Sequence, residues 1–227
     1  MSGFALKLIA ISSMLIDHIG ADLLPSQTWM RMAGRLAFPI FAFMLVEGFF
    51  HKRDVKKYAI RLGAAAVVSE IPFNFSNSGR FFEPGYMNTC FTLLIGLLTM
   101  CFIAAAKQDE TGRYMLAAPL ALLAGVLLAE FLHTDYGAFG VAMILIFYYF
   151  RDKKSTAFVS LIVINLLYGL LCLAFGESPV QALAGAAAVP LYFYNGEKGS
   201  ARAKYLFYIF YPAHLTAIAA VRYLLLV

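Results

Sequence analysis

The chain has 227 residues, of which 62% are apolar and only 14% charged, against roughly 45–50% and about 25% in soluble domains. So little charge cannot cover a water-facing surface, which excludes an ordinary soluble globule and implies a surface turned to lipid. The net charge of +5 would suggest nucleic acid in a soluble protein. Here the basic residues sit in short loops between apolar runs, where positive-inside bias explains them.

A membrane-spanning helix needs roughly 17–25 mostly apolar residues. In chain order such runs are predicted over about 4–24, 31–51, 55–75, 89–107, 114–132, 155–175 and 203–226. Two further runs, about 136–150 and 179–194, are short, as for a less tilted helix, a thinner region or a re-entrant segment. The expectation is an all-α polytopic bundle of about nine helices forming one transmembrane domain over 1–227. No A-x-A-like cleavage site follows the first run, so it reads as a span and not as a signal peptide. Cys90, Cys101 and Cys172 lie in apolar stretches without C-x-x-C spacing and read as small hydrophobes.

Twelve of the 18 Lys and Arg fall in or beside alternate loops: Lys52, Arg53, Lys56, Lys57, Lys107, Arg113, Arg151, Lys153, Lys154, Lys198, Arg202 and Lys204. The opposite loops hold little beyond Arg31 and Arg80. This alternation supports the span count and predicts a cytoplasmic N-terminus with the C-terminus outside. The longest loop, 76–88, is rich in Asn, Ser, Gly and Pro and lies on the outer side, where it could form a lid or mouth.

Ionisable groups inside spans are the informative exceptions. Each costs roughly 2.5–3.5 kcal/mol at a helix centre, so each should face a polar interior and have a partner. They are Asp17 and His18 on the first span, Arg35 and Glu47 on the second, Glu70 on the third and His214 on the ninth. At about 1.5 Å per residue, Asp17, His18, Arg35, Glu70 and the loop residue Asp135 reach similar heights in the outer half. Glu47 falls near the cytoplasmic end and His214 near the midplane. Asp17 and His18 are adjacent, so their side chains diverge by about 100°. His18 is therefore expected to face the interior while Asp17 binds a neighbouring helix through Arg35. His18 has a side chain that can act as a general base near neutral pH. Glu47 and His51 share a helix face, but no third ligand makes a metal site. Lys204, Tyr208 and Tyr211 form one stripe on the last span, where Pro212 is expected to kink the helix. Each group also has a structural alternative: a lone intramembrane His, Glu or Arg can simply join helices, as Asn165 is expected to do.

Several segments resemble the TraX family of membrane acetyltransferases. They are L-K-L-I-A-I-S-S-M-L-I-D-H-I-G (6–20), G-R-L-A-F-P-I-F-A-F-M-L-V-E-G-F (34–49), S-E-I-P-F (69–73), N-T-C-F-T-L-L-I-G-L-L (88–98), Y-N-G-E-K-G (194–199) and K-Y-L-F-Y-I-F-Y-P-A-H (204–214). The resemblance implies an acetyl-CoA-dependent N-acetyltransferase of the bacterial inner membrane with no metal; the family's namesake acetylates the N-terminal amine of conjugative pilin. It is also distantly similar to larger transmembrane acyltransferases with a His on an early span, which points to His18.

The implied mechanism is acyl transfer across the bilayer. Acetyl-CoA docks on Lys52, Arg53, Lys56, Lys57 and Arg61, with Lys204 and Tyr208 also lining its site; these cations serve equally as topology determinants. His18 takes a proton from the acceptor, Asp17 or Glu70 stabilises the imidazolium, and Arg35 or Asn88 stabilises the oxyanion. Glu47 and His214 complete the catalytic set, and Asn88 and Asp135 face the acceptor, which is a pilin-like protein, a glycan or a small molecule. Two other classes use similar residues: a small transporter or proton-coupled protein, and an assembly factor. Neither an internal repeat nor paired Gly/Pro-broken helices supports the transporter.

Overall fold

The computed structural model describes every residue except Arg53, Pro84, 109–113, 200–205 and Val227. The described residues form helices without strands: α1 (Gly3–Asp22), α2 (Thr28–Gly34), α3 (Ala37–His51), α4 (Val55–Ser78), α5 (Thr89–Lys107), α6 (Tyr114–Phe131), α7 (Gly137–Tyr149) and α8 (Lys154–Ala174). A 3-10 segment (Pro179–Ala187) then runs into α9 (Ala188–Tyr192), and α10 (Leu206–Leu226) closes the bundle. Among the described residues five segments are long and apolar enough to cross a membrane: α1, α2 with α3, α5, α6 and α8. The lipid face is visible in the exposed Val67, Val68 and Ile71 of α4, Leu116, Leu120 and Leu127 of α6, and Leu166, Leu167 and Leu170 of α8, far more exposed apolar surface than a soluble monomer tolerates.

Local chemistry sets the helix ends. Ser2, Asp54 and Asn88 accept from the backbone N–H groups of Ala5, Lys57 and Cys90 and cap α1, α4 and α5. Lys57 donates to Asp54 at 2.8 Å, and that bond holds the Asp54 carboxyl below its ordinary value. The second span is broken after Gly34 because Pro39 has no N–H for the Arg35 carbonyl. The break is tight: Arg35 and Leu36 donate to Met32 and Ala33, three residues back.

Both short spans have a physical explanation. α7 is enclosed by α3, α5, α6 and α8, with Val141, Met143 and Ile144 fully buried, so it need not match the bilayer thickness. The run near 179–194 is not a short α-helix. A 3-10 helix rises about 2.0 Å per residue, so this segment and α9 together cover roughly 25 Å. Its threefold period puts Gln181, Ala184 and Ala187 on one buried stripe, and Gly169 and Gly185 let it lie against α8. α10 continues through Pro212.

The loops segregate as the charge alternation predicts. At one end Met1 donates to the Phe193 carbonyl, Gly3 to that of Glu197, and Arg151 to Glu47. At the other end Ser76 donates to Asp22, Tyr86 to Asp135, and Arg222 to the Ser76 carbonyl. The basic residues Lys52, Lys57, Lys107, Arg151 and Lys198 gather at the Met1 end.

The core sits where α3, α5 and α7 cross, around Phe38, Ile40, Leu97, Met100, Ile144 and Phe147. Gly140 makes that crossing possible, since a Cβ there would meet Thr92 Cγ2 at 2.6 Å, Tyr136 Cβ at 2.7 Å and Phe38 Cζ at 2.9 Å. Gly140→Ala is expected to cost on the order of 1–3 kcal/mol through overpacking. A lowered thermal unfolding midpoint in detergent checks this; an unchanged midpoint would show that the crossing has room for a methyl group.

Candidate functional site

Two cavities lie one above the other inside the bundle. The inner one, of about 590 Å³, opens at the Met1 end between α1, α3, α4 and α10 and is lined by Lys7, Glu47, Lys52, Lys57, Arg61 and Lys198 among others. The outer one, of about 240 Å³, is lined by Asp17, His18, Asp22, Arg31, Arg35 and Asp135. Met14, Phe41 and Thr89 line both, so they form the waist between them. Along α1, Lys7, Met14 and His18 lie in order, with His18 roughly 16 Å above Lys7 at the α-helical rise.

The outer cavity is built around Asp17. Arg35 reaches its two oxygens at 2.8 and 3.0 Å, and Arg31 reaches it at 2.6 Å. The carboxylate lies against the backbone of Gly34, where any Cβ would overlap it. Arg35 also donates to the Arg31 carbonyl and to Gln181, and Gln181 donates to Asn165. A polar chain thus crosses from α1 through the α2–α3 break to the 3-10 segment and α8. Opposite, Asp135 accepts from Tyr86 at 2.7 Å and from the Thr89 hydroxyl, while its carbonyl accepts from Thr92. Burial, then the Asp135 carboxylate beside it, push the Tyr86 phenol well above its ordinary value, so Tyr86 remains a donor. α4 runs on to Ser78, so the outer loop begins at Gly79 and not at 76 as expected, and Met87 pins it beside this cavity by donating to the His133 carbonyl and accepting from Asp135.

His18 meets His214, not a carboxylate. His18 Nδ1 and His214 Nε2 are 2.7 Å apart. The ring centroids are 5.0 Å apart and the planes 4° off parallel, a separation equal to the hydrogen bond plus two ring radii. The rings therefore lie end to end in one plane and not face to face. His214 Nδ1 is 2.8 Å from the Phe210 carbonyl one turn earlier. His18 lines the outer cavity; His214 is buried behind it.

The inner cavity is a cationic mouth over an apolar shaft. Lys7 lies over the Phe207 ring at 5.2 Å. Arg61 lines the wall with its Nε buried and without a hydrogen-bond partner. Lys52 packs on the Tyr58 ring, and Tyr208 and Tyr211 line the wall facing α4.

The structure joins some of the expected residues and separates others. Asp17 pairs with Arg35, and both share the outer cavity with His18 and Asp135. Glu70 and Asn88 line neither cavity and are committed to each other. The Asn88 amide donates to Glu70 and to the Ala66 carbonyl, so both its hydrogens are used and none is left for an oxyanion. Asp17 is held by two guanidiniums and Glu70 by Asn88, so neither is the hydrogen-bond partner of His18. Glu47 lies at the inner end against Arg151 at 3.2 Å and His51 at 3.7 Å. Lys56 is exposed and not part of the cavity wall; Arg53 and Lys204 lie outside the described residues. Among the described residues no three or more His, Cys, Asp or Glu converge on a metal position. Sequence reasoning missed Arg31, which it placed in a loop, and Gln181, whose signal was the period of three. Also missed were Asp22 and Tyr86, and Thr89, a cap-adjacent residue no pattern marks.

Fold and site together define a polytopic helical membrane protein in which a cavity with a cationic inner mouth adjoins a smaller polar cavity that holds the half-buried His18. The chain belongs to the TraX protein family, whose model matches residues 2–222. A probable fimbrial assembly protein, FimC of serogroup H1, from Dichelobacter nodosus is 33% identical over 97% of this chain and 96% of its own length. Protein TraX of Escherichia coli K12 is 26% identical over 79% of this chain and 68% of its own length. No solved structure matches the chain.

Removing Asp17 would leave Arg31 and Arg35 facing each other inside the bundle. Asp17→Ala is expected to destabilise the protein by about 3–5 kcal/mol, the loss typical when one partner of a buried pair is deleted. Gly34→Ala should lower the unfolding midpoint in the same direction by displacing the carboxylate. Thermal unfolding of both variants in detergent checks this; midpoints equal to wild type would mean the cluster is not structural.

Proposed function

We propose that this chain is a membrane acyltransferase that moves an acetyl group from cytosolic acetyl-CoA to an amine or hydroxyl acceptor in the outer half of the bilayer. The observation that carries this reading is the pair of cavities meeting at Met14, Phe41 and Thr89, with cations at one end and His18 at the other. Lys52, Lys57 and Arg61 suit the nucleotide phosphates, and the buried, unpartnered Nε of Arg61 is a donor without an acceptor that an anion would supply. The apolar shaft suits the pantetheine arm, and the rise from Lys7 to His18 is about the reach of that arm when extended.

In the outer cavity His18 accepts the proton of the acceptor N–H or O–H as that atom attacks the thioester carbonyl. Arg31 and Arg35, already fixed by Asp17, Arg31 O and Gln181, place positive charge where the oxyanion develops. Collapse expels the CoA thiolate, which receives the proton from His18. Donor and acceptor reach the same carbon from opposite sides, each through its own cavity. The charge alternation favours a cytoplasmic face for the Met1 end, and the family resemblance favours the bacterial inner membrane. The Dichelobacter relative's name, a probable fimbrial assembly protein, favours a fimbrial subunit as the acceptor.

The passage also suits a transporter, since it nearly joins the two faces, and acetyl-CoA binding separates the two readings. The purified protein is expected to bind acetyl-CoA and to acetylate an amine acceptor. His18→Ala should abolish transfer and leave binding in place. Met14→Trp, which plugs the waist, should also keep CoA binding while cutting transfer by about 100-fold or more. Titration by calorimetry and labelled acetyl transfer provide the two readouts. Absence of binding, or wild-type turnover in His18→Ala, would overturn the reading.

A further inference from the structure

The histidine pair carries more information than two titratable groups in one place, because its partners fix where the protons are. The Phe210 carbonyl can only accept, so His214 Nδ1, at 2.8 Å, must bear hydrogen. As a neutral ring His214 then has a bare Nε2, which can only accept. The 2.7 Å contact with His18 Nδ1 therefore requires that nitrogen to be the donor. His18 is left with hydrogen on Nδ1 and a lone pair on Nε2, the nitrogen not engaged with His214.

We propose that His214 is a positioning residue: it holds His18 in the Nδ1–H tautomer and in one ring plane, so that the His18 Nε2 lone pair is the one presented to the outer cavity. His214 does not line that cavity and acts only through His18. It occupies the place that a carboxylate takes in serine hydrolase triads, which explains why Asp17 and Glu70 are free to be engaged elsewhere. The coplanar, end-to-end rings are what such a bond requires, and the Phe210 carbonyl anchors the far end of the relay. In water a free imidazole favours hydrogen on Nε2; here two hydrogen bonds in series hold the opposite form. This role presupposes the acyl-transfer reading above, with His18 Nε2 taking the acceptor proton and returning it to the CoA thiolate.

The tautomer is open to direct measurement on the whole protein in lipid. With ¹⁵N-labelled histidine, the His18 signals, assigned by their loss in His18→Ala, should show a protonated Nδ1 and a bare Nε2. His214→Phe keeps an aromatic ring of similar size but offers no acceptor. It should release His18 to the Nε2–H form and lower kcat by about 100-fold or more, with the KM for acetyl-CoA within about twofold. His214→Gln restores an acceptor near the Nε2 position and should return the His18 tautomer and activity to within about tenfold of wild type. An Nε2–H His18 in the wild-type protein would overturn the inference without any activity assay. So would equal activity of the Phe and Gln variants. If wild-type His18 has the proposed tautomer but the protein never consumes acetyl-CoA, the relay stands and the acyl-transfer reading falls.

Discussion

The structure depends on one buried electrostatic cluster, Asp17 between Arg31 and Arg35. A lone charge in a membrane interior is costly, roughly 2.5–3.5 kcal/mol at a helix centre, so none of the three could stand there without the others. Their pairing locks α1 to the α2–α3 break, and it dictates a glycine at 34, because the carboxylate occupies the space of a side chain. From there Arg35 passes the constraint to Gln181 and Asn165, tying the 3-10 segment to the site. His18 follows Asp17 directly in the chain. Locking Asp17 outward to the arginines turns His18 about 100° away, toward α10 and His214.

That division of labour accounts for the polarity of the passage. The inner cavity is apolar along its shaft and cationic at its mouth, as expected of a site that takes a charged head and a thin flexible tail. The outer cavity is smaller and lined by carboxylates, guanidiniums and an imidazole. Beside it Asp135 holds Tyr86 and Met87 of the outer loop and Thr89 at the start of α5. The waist at Met14, Phe41 and Thr89 is mostly apolar and separates the cationic inner mouth from the polar outer cavity.

Much of this was legible in the sequence. Apolar run lengths placed the long spans to within a few residues, and the alternating Lys and Arg correctly grouped the loops at two ends. The pairing of Asp17 with Arg35 was suggested by their similar heights together with the helical angle that turns Asp17 away from His18. What the residues could not announce was mostly a matter of partners. His214 was expected near the midplane and His18 above it; their contact depends on how α10 leans on α1, which no periodicity encodes. Glu70 had the right height but is engaged by Asn88, which as the cap of α5 has its own backbone obligations. The 179–194 run was short by α-helical arithmetic and adequate by that of a 3-10 helix, a distinction carried by the threefold spacing of Gln181, Ala184 and Ala187.

The central claim is that donor and acceptor approach one carbon from opposite faces of the membrane. It is tested most directly in sealed proteoliposomes of determined orientation, with labelled acetyl-CoA supplied only at the face bearing Lys52 and Lys57 and an amine acceptor only at the other. Labelled acceptor on the far side, with intact CoA excluded from it, is the expected result. Transfer only when both reactants share one face would contradict the account.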